Sequence, residues 1–134
     1  MPLTRISIPS SLAGDKTVAL ADAVHLGLVH TCGVPLDDRF QLLSRYAPEM
    51  MLLNPTYPNV SRSSEASIVE ILFLKGRTDA QKEALYQYIV DRAVEANFRP
   101  DDIFIGLVEN SHIDWSLGGG KSFVKQIETT PKTF

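Results

Sequence analysis

The feature that most constrains the fold is an internal repeat of strand, helix and strand. Apolar residues alternate in the predicted strands and recur every fourth residue in the predicted helices. Both helices follow a glycine, and both final strands follow a Pro-Asp-Asp type of junction, at Pro35–Asp38 and Pro100–Asp102. The predicted elements are strand 3–8, helix 15–31 and strand 39–46, then strand 67–74, helix 78–97 and strand 103–108.

The repeat predicts how the strands run. A helix crosses over between the two strands of each unit, so these strands should be parallel and the crossover right-handed. If the two units pack around a pseudo-twofold axis, the second runs antiparallel to the first. The chain of 134 residues, 44% of them hydrophobic, has the size of one domain. We expect units at about 2–46 and 65–110, a loop at 47–64 and a tail at 111–134.

Composition and motifs exclude several functions. A net charge of −3 without Lys or Arg runs argues against nucleic acid or an anionic membrane as partner. The sequence lacks a membrane-spanning apolar run and a secretory signal, which predicts a cytoplasmic protein. Cys32 is the single cysteine, so no internal disulfide can form. Nucleotide-binding and metal-binding motifs are absent, and we expect neither cofactor nor metal.

Pro2 is the first candidate for chemistry. Initiator methionine is normally removed before a small residue, so the mature chain would begin with a secondary amine. An α-amino group has an ordinary pKa of ~8, and its surroundings can make it a base or an acid near neutral pH. The alternative is an ordinary, flexible chain end.

Strand polarity predicts which side chains lie near Pro2. Pro2 opens the first strand and Asp38 opens the second, which is parallel to it, so both lie at one edge of the sheet. An antiparallel second unit brings the end of the third strand, with Lys75 and Arg77, to that edge. These two are separated by one residue and point to one face while the chain stays extended. The amine, carboxylate and cations suit an anionic carbonyl substrate. Alternatively, the three charged residues are solvated turn and strand-end residues.

Several separated motifs resemble the tautomerase superfamily, most closely its malonate semialdehyde decarboxylase group. They are the initial Met-Pro-Leu, the junction at 33–41, and the stretches 100–103, 108–111 and 115–116, and the resemblance covers about residues 2–123. It implies an α/β (α+β) fold of two fused β-α-β units related by a pseudo-twofold, with a four-stranded sheet and two helices on one face. It also implies an amino-terminal proline catalyst and a homotrimer with sites near subunit borders.

Carried over residue by residue, the resemblance implies a catalytic amine at Pro2, a water-activating or orienting carboxylate at Asp38 and a carbonyl-polarising cation at Arg77. The decarboxylase pattern has a second arginine where this chain has Lys75, which keeps the charge but lacks the planar fork. The resemblance also implies an apolar wall of the pocket, formed by Trp115, Leu117 and Phe123. Alternatively, these residues seal the core of the trimer.

Three reactions are compatible with these groups. Decarboxylation of a 3-oxo acid needs protonated Pro2, whereas keto-enol tautomerisation of a 2-oxo acid such as phenylpyruvate needs neutral Pro2. Hydration of an unsaturated acid would use Asp38 to activate water. The non-enzymatic alternative is a trimeric binding module, in which Met1 stays in place or Pro2 is buried and unreactive.

Overall fold

The computed structural model describes residues 1–129 and contains the predicted repeat. Both units have the order strand, helix, strand, and the sequence after the second unit adds a short helix. The elements are β1 Pro2–Pro9, α1 Gly14–Cys32, β2 Gln41–Tyr46, β3 Ser67–Leu74, α2 Asp79–Glu95, β4 Ile103–Asn110 and α3 Phe123–Thr129.

The four strands form one sheet with the order β2-β1-β3-β4. The pairs β1–β2 and β3–β4 are parallel, and the central pair β1–β3 is antiparallel. In that central pair Pro2 lies opposite Phe73 and Ile6 lies opposite Val69. The two units are therefore related by a pseudo-twofold, as predicted, and the start of β1 lies at the same edge as the end of β3.

Both long helices cover one face of this sheet. Alternate residues of β1 and β3 are buried beneath them, including Ile6, Val69 and Phe73. The helices pack closely because Gly27 has no side chain: a Cβ at this position would lie 3.1 Å from Leu85 Cδ1. The predicted sheet with two helices on one face is confirmed, and no helix within residues 1–129 is long and apolar enough to cross a membrane.

Capping follows the sequence closely at two helix ends. Gly33 ends α1 in the left-handed conformation, with φ 69°. Thr78 caps α2: its hydroxyl accepts a hydrogen bond from Gln81 N at 3.1 Å, and Gln81 Oε1 accepts one from Thr78 N at 2.9 Å. The polypeptide therefore enters α2 at a defined angle directly after the candidate residues Lys75 and Arg77.

β2 differs from its predicted bounds, and the structure adds short helical segments in the predicted loop and tail. β2 begins at Gln41 rather than Arg39, because turn hydrogen bonds from Asp38 N to Pro35 O and from Arg39 N to Asp37 O close the preceding segment. The loop 47–64 contains a short 3-10 turn at Pro48–Met50. The segment predicted only as a tail contains α3.

The sheet face opposite the helices carries exposed apolar side chains. Leu42, Phe104 and Val108 are 55%, 49% and 54% exposed, respectively. Arg5 and Glu70 lie opposite each other in the middle of this face and are also exposed. A single chain thus has a sheet that is covered on one side only.

Candidate active site

The candidate site is built where β1 begins and β3 and β4 end. Pro2 is buried and lies opposite Phe73 in the β1–β3 ladder. Leu74 and Asn110, the final residues of β3 and β4, are paired one position further along. The antiparallel packing predicted from the repeat therefore brings the chain terminus to the carboxyl ends of the two strands of the second unit.

Asp38 lies beside the chain terminus. Its Oδ2 is 3.5 Å from the Met1 amino group, and its carboxylate is 14% exposed. The other oxygen, Oδ1, is buried and has no hydrogen-bond partner within residues 1–129. Because one residue spans at most about 3.6 Å, the Pro2 nitrogen lies within about 7 Å of Asp38 Oδ2. The predicted proximity of Pro2 and Asp38 is present.

Arg77 reaches the same edge from the turn after β3. Its guanidinium lies over the ring of Phe73, 5.2 Å from the ring centroid. Nη1 donates to Leu74 O at 2.9 Å and Nη2 donates to Cys32 O at 3.2 Å. The half-buried cation is thus fixed against the strand neighbour of Pro2 by two hydrogen bonds and a cation–π contact.

Lys75 and Arg77 do not remain on one extended strand. The chain bends after Leu74, and Gly76 has φ 121°, a conformation that residues with side chains rarely adopt. The side chain of Lys75 is exposed, whereas that of Arg77 is half-buried. Both still line one open groove of about 320 Å³, together with Gln81 and His112. The expected convergence of the two cations is found, but the bend at Gly76 produces it.

An ion pair borders this groove. Lys82 Nζ lies 2.7 Å from Glu109 Oε1, and that hydrogen bond lowers the pKa of Glu109 and raises the pKa of Lys82. The Gly76 amide and the charge of Arg77 add to the lowering of the Glu109 pKa. Glu109 therefore stays ionised beside the cations and partly offsets their charge.

The segment after β4 folds back over the same edge. Trp115 Nε1 donates a hydrogen bond to Asn110 Oδ1, and Phe123 N donates to Trp115 O at 2.7 Å. The ring of Phe123 stacks on His112, with a centroid distance of 5.7 Å. Leu117 is 43% exposed. Trp115 and Phe123 thus contact Asn110 and His112 at the end of β4, beside the groove but not among its lining residues. Leu117 remains an exposed apolar side chain.

Three residues in or beside the groove are not among the site residues predicted from the sequence: His112, Gln81 and Glu109. His112 follows β4 by two residues, and β4 is parallel to β3, so the pairing that places Lys75 also places His112. The strand order therefore indicates that His112 lies near Lys75. No cluster of three or more His, Cys, Asp or Glu suited to a metal occurs in the part of the chain that the structure describes.

Fold and site together define a class of protein: two fused β-α-β units whose chain terminus lies beside a carboxylate, at the same end of the sheet as a cationic groove. Comparison with known sequences identifies the family. The family model described as "Tautomerase enzyme" matches residues 38–118. The chain is also 32% identical to "Probable tautomerase YusQ" of Bacillus subtilis (strain 168), over 91% of this chain and 97% of that protein. The chain belongs to the tautomerase superfamily and is an enzyme of that superfamily.

Solved structures agree with this assignment. FG41 malonate semialdehyde decarboxylase inhibited by 3-bromopropiolate is 30% identical, with a TM-score of 0.87 over 96% of this chain and 99% of that chain. A second malonate semialdehyde decarboxylase is 31% identical, with a TM-score of 0.83 over 93% of this chain and 98% of that one. A fused 4-OT described as a symmetric trimer shares the fold at 20% identity, with a TM-score of 0.74 over 91% of this chain and 96% of its own.

Proposed function

We propose that this protein is an amino-terminal-proline enzyme that decarboxylates a small 3-oxo acid, in the manner of malonate semialdehyde decarboxylase. The observation that carries the proposal is the position of Asp38, 3.5 Å from the chain amine and with one buried, unpartnered oxygen. Removal of Met1 would make Pro2 the terminal amine beside this carboxylate. A nearby anion favours the protonated form of an amine, which is the form that decarboxylation requires.

In the proposed reaction, Arg77 and protonated Pro2 bind and polarise the 3-oxo group. The bond between the carboxylate carbon and the adjacent carbon breaks, CO2 leaves, and its bonding electrons enter the enolate. Arg77 and the Pro2 ammonium stabilise the negative charge on the enolate oxygen. A proton from Pro2 or water then adds to carbon. Asp38 orients the carbonyl or activates water, and the same two roles would support hydration of an unsaturated acid.

The second candidate is keto-enol tautomerisation of a 2-oxo acid such as phenylpyruvate. The relative at 32% identity is named a probable tautomerase, and Lys75 replaces an arginine of the decarboxylase pattern. Neutral Pro2 would remove the proton α to the carbonyl, and Arg77 and Lys75 would bind the carboxylate and stabilise the enolate. Trp115, Leu117 and Phe123 would form an apolar wall in either reaction.

We also propose a homotrimer. The exposed Leu42, Phe104 and Val108 on the uncovered sheet face give a surface that a second copy can bury. The fused 4-OT that shares this fold is described as a trimer. A non-enzymatic trimeric binding module remains the alternative to catalysis, and it predicts that Met1 is retained or that Pro2 does not react.

A parallel assay of two substrates tests the proposed activity. Purified protein with its natural N-terminus is incubated with malonate semialdehyde and, separately, with phenylpyruvate. We expect kcat/KM for decarboxylation to exceed that for tautomerisation at least tenfold, and a nitrogen NMR titration to show Pro2 protonated at pH 7. Efficient tautomerisation with a neutral Pro2 at pH 7 would favour the second candidate. The absence of both activities would contradict an enzyme of this substrate class.

A further inference from the structure

A second cavity lies at the opposite edge of the sheet, where β1 and β2 end and β3 begins. It has a volume of about 250 Å³, and its walls are largely apolar. Pro9 and Tyr46 come from the strand ends and Ala66 from the residue before β3, while the loop 47–64 supplies Met51, Leu53 and Arg62. The loop 47–64 therefore lines a partly open, mostly apolar cavity, the kind of site that binds small molecules.

The pseudo-twofold makes this cavity the counterpart of the candidate active site. In the groove, Leu74 ends β3 and His112 follows β4 by two residues. In the cavity, Pro9 ends β1 and Pro48 follows β2 by two residues. The counterpart has no chain terminus, because β3 begins inside the polypeptide at Ser67. It can bind, but it lacks an amine for proline chemistry.

In the second unit, the carboxylate that corresponds to Asp38 makes structural hydrogen bonds. Asp102 stands in the junction that corresponds to the one with Asp38, and it is 1% exposed. Its Oδ1 accepts from Ser63 N at 2.7 Å, and its Oδ2 accepts from Ser63 Oγ at 2.5 Å. Asp102 thus anchors the loop that lines the cavity and leaves Arg62 as the charged residue of the cavity wall.

Arg62 has one side held by the protein and one side unused. Its Nη1 donates to Asn54 O at 2.8 Å and to Tyr57 O at 2.5 Å, and its guanidinium lies 5.8 Å from the centroid of Phe104. Its Nε is buried and has no hydrogen-bond partner within residues 1–129. Nε and Nη2 form the side of a guanidinium that binds a carboxylate through two parallel hydrogen bonds.

We propose that this cavity binds a small monocarboxylate with an apolar body, held side-on by Nε and Nη2 of Arg62. A buried, unpaired N–H is costly, and a carboxylate oxygen that displaces the atoms now covering Nε would satisfy it. Within the described residues, Arg62 is the one charged side chain that lines the cavity. The single negative charge of a monocarboxylate therefore balances it. Met51, Leu53 and Pro9 would contact the apolar body. The site is separate from Pro2 and independent of the reaction proposed there.

The test is a titration with 3-phenylpropanoate, which has the required carboxylate but no ketone or aldehyde group on which Pro2 could act. Methyl NMR signals of Met51, Leu53 and Ala66 distinguish this cavity from the groove of Arg77, even if the probe also enters that groove. Met51 and Leu53 also line a neighbouring cavity beside Ile68, so the signal of Ala66 assigns binding to the proposed cavity. We expect these signals to shift and saturate, and the neutral 3-phenylpropanamide to bind at least tenfold more weakly. Unmoved signals, or equal affinity for the amide, would overturn the proposal. A cavity already filled by a second copy of the chain would leave the signals unmoved and count against it equally.

Matched variants identify the recognition residue. Arg62→Gln should weaken binding at least tenfold, and Arg62→Lys should also weaken it because lysine lacks the fork. Because Arg62 also holds the loop, Ser11→Phe provides a variant that obstructs the cavity from an exposed wall position while leaving Arg62 intact; it should weaken binding tenfold as well. Arg92→Gln, on the surface of α2, is the control and should bind normally. Unchanged affinity in both Arg62→Gln and Ser11→Phe would contradict the assignment.

Discussion

Replacing Arg77 by alanine is expected to lower kcat/KM about a hundredfold or more, the scale seen when one preorganised donor to a developing oxyanion is removed. The cation is fixed over Phe73, opposite Pro2 in the sheet, by hydrogen bonds to Leu74 O and Cys32 O. It does not have to reorganise when charge develops on the substrate. Steady-state kinetics with the 3-oxo acid measures the loss.

The control for this variant is Arg92→Ala. Arg92 also lies over an aromatic ring, 5.1 Å from the centroid of Tyr88, but on α2 and away from the groove. Its replacement should leave kcat/KM unchanged. Arg77→Ala also removes two hydrogen bonds to backbone carbonyls, so its folding is checked by circular dichroism, and Arg77→Lys supplies a milder variant that keeps the charge. Full activity in a folded Arg77→Ala protein would remove Arg77 from the proposed mechanism.

Replacing Asp38 by asparagine should separate the candidate reactions. Decarboxylation and hydration should fall about a hundredfold, because they use the carboxylate to orient the substrate or activate water. Tautomerisation of phenylpyruvate should fall less than tenfold, because neutral Pro2 is its base. Asparagine has nearly the shape of aspartate, so the change tests charge rather than packing. The rates of decarboxylation, hydration and tautomerisation are all measured on one preparation at one pH.

Asp37→Asn is the matched control for Asp38→Asn. Asp37 is the preceding residue in the same turn and is exposed, and its backbone carbonyl rather than its carboxylate accepts the hydrogen bond from Arg39 N. All three rates should be unchanged in that variant. Equal losses of decarboxylation and tautomerisation in Asp38→Asn would contradict the role given to Asp38.

The repeat made most of the fold predictable. Strand and helix periodicity, the glycine after α1 and the capping box at Thr78 are local signals, and each corresponds to an observed element. The antiparallel packing of the two units then predicted that Pro2, Asp38 and the end of β3 would share an edge. Such features depend on chain order and hydrogen-bonding geometry, which the sequence encodes directly.

Other features of the sites depend on contacts between distant residues and were not predictable. The bend at Gly76 turns Arg77 onto Phe73, and a glycine alone does not specify which positive φ it adopts. The stacking of Phe123 on His112 joins two loop segments without periodicity. Arg62 lies in an irregular loop, and its unused side becomes visible only once Asn54 and Tyr57 are seen to bind Nη1.

The most direct test of the central claim is the chemistry of Pro2. The purified protein is exposed to 3-bromopropiolate, the inhibitor of the related FG41 malonate semialdehyde decarboxylase, and its intact mass and labelled peptide are determined before and after. The proposed mechanism predicts a chain that lacks Met1 and carries one adduct, on the Pro2 nitrogen. A retained Met1, which would turn Pro2 into an amide without a basic nitrogen, or an adduct on any other residue would contradict it.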